Sequence, residues 1–170
     1  MEVYKISRSL ILWRHAHAGI GSDDYNRKLD ERGKNEAKIM AKFLLKNKNP
    51  DLILCSTASR AIETLNALLE VDQLVSPVFD KNLYLAEPRT IINSIIKAAD
   101  NQNTILLIAH NPGIHELSKS LTKNNKKKSL QDGFPTASMA FISMESEDWC
   151  NLGNNQLRLE KLIRPKDLNN

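Results

Sequence analysis

The 170 residues predict an α/β fold with a mostly parallel central sheet and helices on both faces. Three observations carry that expectation. Short apolar runs, of which "TILLIA" (104–109) is the clearest, read as strands buried on both sides. Amphipathic helical stripes alternate with these runs along the chain. Two of the runs, "SLILW" (9–13) and "TILLIA", are followed at once by Arg14-His15 and by His110, as ligand-binding ends of parallel strands would be.

The elements follow in order. "SLILW" is the first strand. Residues 30–47 place Ala37, Met40, Ala41 and Leu44 at helical spacing, with Asp30 as N-cap and Lys46 and Lys48 at the C-terminal end. "DLILC" (51–55) is the next strand. Residues 58–70 form a helix with Ala61, Ile62, Leu65, Leu68 and Leu69 on one face, capped by Ser56, Thr57 or Ser59. A weaker extended piece covers 76–85. Pro88 opens a helix over 88–99, where a missing N–H costs no hydrogen bond. After "TILLIA" a helix spans 110–121, with Asn111 as N-cap, Pro112 at N1, and Ile114, Leu117 and Leu121 inward. Two strands close the chain, 138–144 and the alternating edge strand 156–163. One domain spans 1–170, with neither repeat nor linker.

Composition narrows the function. Hydrophobic residues make up 41% and charged residues 26%, ordinary for a water-soluble chain. No apolar run approaches the ~18 residues of a membrane span. The first ten residues lack the apolar core of a secretory signal. Two cysteines, Cys55 and Cys150, build no disulfide framework, so a reducing cytoplasm is the expected compartment. The net charge of +4 suits an anionic substrate. Nucleic acid is not expected, because the lysine-rich stretch 123–129 reads as a solvated loop without interleaved aromatics.

The chain has four histidines, His15, His17, His110 and His115. Parallel strands would bring His15 and His110 to one sheet edge, together with Arg14 and with Arg60 in the first turn of the second helix. A phosphoryl group requires this set: planar cationic forks for its oxygens, a nucleophile, and hydrogen-bond donors. A neutral imidazole is a competent nucleophile near physiological pH. His17 is a further candidate for the pocket rim, with an exposed loop histidine as its alternative. His115, five positions after His110, reads as structural. Glu87 is a candidate proton donor or, alternatively, a charge favoured at a helix N-terminus. A metal site among the four histidines, with "HAH" and the carboxylates Asp23, Asp24 and Glu87, is the weaker reading, because His110 has no partner at i+3 or i+4 and two arginines would repel the cation. Cys55 lacks an arginine at the spacing of a cysteine phosphatase loop and reads as core.

Several segments together resemble the histidine phosphatase superfamily, in its short SixA-type branch of phosphohistidine phosphatases. These are "LWRHAHA", "LDERGKNEAKIMAKFL", "PDLILCSTASRAIETLNALL", "TILLIAHNPGIHEL", "GFPTASMAFISM" and "LIRPKDL". They occur co-linearly and cover nearly the whole chain. Residue 16 is alanine where many superfamily members have glycine. The resemblance implies a phosphoglycerate mutase-like three-layer sandwich without metal or cofactor. It implies that His15 is the phospho-accepting nucleophile and that Arg14, Arg60 and His110 form the phosphate pocket. The implied substrate is a phosphorylated protein of the histidine phosphotransfer type. The alternatives are a small phosphomonoester, or a weakly active module that binds a phosphorylated partner. A monomer is the expected state.

Overall fold

The computed structural model describes residues 7–73, 75–122, 127–146, 148–154 and 157–168. Among these residues, six strands form one sheet. They are β1 (Arg8–Arg14), β2 (Leu52–Ser56), β3 (Val78–Asp80), β4 (Thr104–Ala109), β5 (Met139–Met144) and β6 (Arg158–Ile163). The order across the sheet is β3-β2-β4-β1-β5-β6. The first four strands in that order run parallel, β5 is antiparallel to β1, and β6 is antiparallel to β5.

The sheet is buried on both faces because its central strands carry unbroken apolar runs, 10–13 in β1, 52–55 in β2 and 105–109 in β4. On β1, Leu10 and Leu12 enter one core while Ile11 and Trp13 enter the other. β4 divides in the same way, Ile105 and Leu107 against Leu106 and Ile108. Helices α1 (Glu31–Asn47) and α2 (Ser59–Leu69) cover the face that receives Trp13. Helices α3 (Pro88–Ala98) and α4 (Gly113–Leu121) cover the opposite face. The result is the three-layer arrangement expected. Each fully buried leucine or isoleucine contributes roughly 1.5–3 kcal/mol of transfer free energy to it.

The α1 stripe is where the pattern puts it, while on α2 Ala61, Leu65 and Leu68 are buried but the expected Ile62 and Leu69 are only half-buried. Ala37, Met40, Ala41 and Leu44 of α1 are buried, and the Asp30 side chain accepts from Gly33 N at 2.8 Å as the N-cap. Trp13 is fully buried and its Nε1 donates to Ala137 O.

Four local expectations need correction. None of Ser56, Thr57 or Ser59 caps α2; the N-cap is Ala58, without a side-chain bond. Ser56 Oγ pairs instead with His110. Asn111 and Pro112 are not the N-cap and N1 of α4, which begins at Gly113 with Pro112 as its N-cap. The Asn111 amide is turned away from the helix and donates to Phe134 O at 3.0 Å. The extended piece 76–85 keeps only β3, because the Asp80 side chain accepts from Asn82 N and starts a 3₁₀ turn over Lys81–Leu83. In the lysine-rich stretch, residues 123–126 lie outside the described residues, and Lys127–Gln131 form a short helix, α5, rather than a loop. Residue 156 of the last expected strand also lies outside them.

Candidate active site

The parallel register of β1 and β4 sets Arg14 opposite Ala109, so His15 and His110 leave the sheet side by side. The His15 backbone is held from both sides. Its N–H donates to Ala109 O at 3.1 Å, and its carbonyl accepts from Ala137 N at 3.0 Å. The two imidazole rings lie 5.0 Å apart between centroids. Arg60, in the first turn of α2, reaches the same point with only 2% of its surface exposed. The structure therefore brings His15, Arg60 and His110 together, with Arg14 beside them at the end of β1.

Hydrogen bonding defines the state of His15. Its Nδ1 lies 2.8 Å from Ala16 O, and a carbonyl can only accept, so Nδ1 carries the proton. Arg60 Nε can only donate, and it does so to His15 Nε2 at 3.2 Å. Nε2 therefore presents a lone pair. The Ala16 carbonyl is itself fixed, because Ala16 N donates to Thr64 Oγ1, whose hydroxyl in turn donates to Arg60 O. Burial, and then the nearby arginines, push the His15 imidazole down to about 3. His110 is likewise pushed down to about 3, by burial and then by His15 and Arg60. Both rings are neutral at physiological pH.

Two polar atoms near these rings have no use in the fold. His110 Nε2 pairs with Ser56 Oγ at 2.7 Å, while its Nδ1 is buried without a partner among the described residues. Arg14 NH1 donates to Phe134 O at 2.7 Å, and Arg14 Nε is buried without one. Unpaired buried polar atoms are rare unless a ligand answers them. Two cationic forks and two imidazoles at one sheet edge suit an anion with several oxygens.

The other candidates stand elsewhere. His17 is half-buried, with Nδ1 2.6 Å from Asp30 Oδ2, so it secures the α1 cap rather than hanging free on a loop. His115 is structural, its Nε2 donating to Leu130 O. Glu87 is the N-cap of α3 without a side-chain cap bond, and its exposed side chain bonds to none of the four pocket residues. Cys55 is fully buried, and burial pushes its thiol up. Among the described residues, no three His, Cys, Asp or Glu side chains group closely enough to hold a metal ion. No described helix is long and apolar enough to cross a membrane.

The structure adds residues that the sequence did not single out for this pocket. Asp24 accepts from Arg60 NH2 at 3.0 Å, and Tyr84 OH donates to the same carboxylate oxygen at 2.6 Å. The Tyr84 ring meets His110 edge-on at 5.4 Å. The sequence offered Asp24 only as a carboxylate for the weaker metal reading, whereas in the structure it pairs with Arg60.

The profile of the histidine phosphatase superfamily (branch 1) matches residues 10–84, which include His15 and Arg60. An uncharacterised protein of Mycobacterium leprae (strain TN) is 32% identical over 127 residues, 71% of this chain and 76% of its own. Among solved structures, a candidate SixA phosphohistidine phosphatase from Agrobacterium tumefaciens superposes with a TM-score of 0.79 at 28% identity, covering 93% of this chain and 98% of that one. A second such SixA candidate, from Nakamurella multipartitia, reaches 0.86 at 23% identity, over 94% and 96%. The fold also extends to a mycobacterial glucosyl-3-phosphoglycerate phosphatase, at a TM-score of 0.68 and 18% identity over 91% and 97%. The chain belongs to the histidine phosphatase superfamily. Within it, the architecture is that of the SixA type.

Proposed function

We propose that this phosphatase cleaves phosphohistidine on a protein of the histidine phosphotransfer type, through a phosphoryl group carried on His15. The observation that supports this most directly is the His15 tautomer, with Nδ1–H on Ala16 O and the Nε2 lone pair beside Arg60. In the first step Nε2 attacks phosphorus, the bond to the substrate imidazole breaks, and that imidazole leaves neutral after taking a proton on its other nitrogen. In the second step water attacks phosphorus, the P–Nε2 bond breaks, and phosphate departs. Arg14, Arg60 and His110 bind the phosphoryl oxygens, stabilising charge as it spreads in the transition state. His17 has no part in the chemistry. The reaction draws on no metal or cofactor, and the protein works as a monomer in the cytoplasm.

The leaving group favours a phosphohistidine. An alkoxide needs a placed general acid, and the exposed Glu87 makes no bond to the pocket. An imidazole titrates near neutrality and can be protonated from solvent. Access favours a protein. Only 49 residues separate Arg60 from His110, and the rest of α2, β3, a 3₁₀ turn, α3 and β4 fill most of that length, leaving little for an enclosing lid.

The test is a competition. The ratio kcat/KM is compared for a phosphorylated histidine phosphotransfer protein, a phosphoserine peptide and small phosphomonoesters. The phosphorylated protein is expected to be preferred. Preference for a small ester would contradict the reading and make Glu87→Gln the next variant to measure.

A further inference from the structure

Arg60 can act on a phosphoryl group only if its guanidinium is held in the right plane. An arginine side chain has many rotamers, and holding it still requires partners. Burial places Arg60 at the pocket but does not decide which edge of its fork faces His15.

The β1–α1 connection supplies partners. Arg60 NH1 donates to the backbone carbonyl of Asp24, and NH2 donates to Asp24 Oδ2 at 3.0 Å. Both terminal nitrogens are thereby held by one residue. The Nε–H is left to His15 Nε2 at 3.2 Å, the atom on which a phosphoryl group would sit. Asp24 is in turn secured from two other places. Its Oδ1 receives Arg27 Nε at 3.0 Å and Arg27 NH2 at 2.7 Å. Its Oδ2 receives Tyr84 OH at 2.6 Å, from the turn that follows β3. The Arg60 guanidinium lies 5.8 Å from the centre of the Tyr84 ring.

We propose that Asp24 is a positioning residue for Arg60, a brace that holds the NH1 and NH2 side of the guanidinium so that Nε faces the phosphoryl group on His15. The inference rests on the reading that His15 carries that group. An opposite role is conceivable for a carboxylate beside a phosphate-binding arginine: it could be a competing anion that substrate must displace. The geometry favours the brace. Asp24 engages the side of the fork away from His15, and its two oxygens already accept from Arg27, Arg60 and Tyr84. Those bonds keep the carboxyl well below the usual range, so it stays charged across physiological pH. Burial, and then the nearby Arg60, lower Arg14 from its usual value.

The test follows kcat and KM for p-nitrophenyl phosphate, with inorganic phosphate as a competitive inhibitor. Asp24→Asn keeps the shape and removes the charge. It is expected to lower kcat roughly 10–100-fold, the cost of a misplaced catalytic contact, with a smaller change in KM. Asp24→Glu restores part of the loss. Tyr84→Phe removes one donor to the carboxylate and gives a smaller fall in kcat in the same direction, which also covers the case of an Asp24→Asn protein that does not fold. The decisive variant combines Asp24→Asn with Arg60→Lys. A brace has nothing left to hold once Arg60 is gone, so the double variant is expected within about twofold of Arg60→Lys alone. Losses that multiply would overturn the brace, because Asp24 would then act independently of Arg60. Tighter inhibition by phosphate, or a raised kcat/KM, in Asp24→Asn would overturn it in favour of the competing anion. His15→Ala in the same assay separates the two readings. If that variant remains active, the role of His15 fails; if it is inactive and Asp24→Asn equals wild type, only the brace fails.

Discussion

Arg60 Nε donates to His15 Nε2 across 3.2 Å, from the side chain of one helix to the residue that follows the first strand. The contact links a planar fork to a lone pair, and a lysine can reproduce the charge but not the plane. Arg60→Lys is therefore expected to lower kcat on the order of 10²-fold, the usual cost of one strong transition-state contact. Steady-state rates on an aryl phosphate measure it. A wild-type rate would place Arg60 outside the reaction.

Stability should fall in mild acid. The unfolded histidines titrate near 6.5, whereas burial pushes folded His15 and His110 down to about 3. The folded state thus binds fewer protons than the unfolded state between those values. The contribution from keeping both rings neutral is fully present above 6.5 and is lost as pH falls towards 3. The slope is about 1.4 kcal/mol per pH unit for each ring that stays neutral. Denaturant unfolding of wild type and of His110→Gln across this window measures it. Equal slopes for the two proteins would contradict the buried, neutral His110.

Gly33 holds the loop that carries Asp24. A Cβ there would stand 1.9 Å from His17 O, where α1 meets the β1–α1 connection. Gly33→Ala is expected to cost about 1–3 kcal/mol, as overpacking does, and to lower kcat by shifting that loop. Gly153→Ala is the control, because its Cβ would meet Ile92 at an ordinary 3.7 Å. Thermal unfolding distinguishes them.

Glu87→Gln is expected to leave turnover of a phosphohistidine protein within about twofold of wild type, as surface changes usually do. The exposed Glu87 makes no bond to the pocket. A large loss on that substrate would give Glu87 the role of proton donor.

The layered fold was legible because β1, β2 and β4 are apolar on both faces and the α1 stripe is regular. The convergence of His15 and His110 followed from the rule for parallel strand ends, and the β1–β4 register produces it. What stayed hidden depends on contacts between distant residues. Asp24 meets Arg60 across 36 positions and Tyr84 across 60, and no local periodicity encodes either pairing. Ser56 had a sound local claim to cap α2, yet its hydroxyl is taken by His110 from 54 residues away. Asn111 likewise lost its capping role to Phe134 O, a partner supplied by the segment before β5. Tertiary hydrogen bonds outcompeted the local caps at Ser56 and Asn111, and both residues border the pocket.

The central claim is that the phosphoryl group passes through His15 Nε2. The most direct measurement is rapid quenching of the enzyme with a radiolabelled phosphoryl donor, followed by mapping of the labelled peptide. The account predicts an acid-labile, base-stable phosphoramidate on His15 that is absent from His15→Ala, together with loss of turnover in that variant. Label on Ser56 or Cys55, or sustained turnover by His15→Ala, would contradict it.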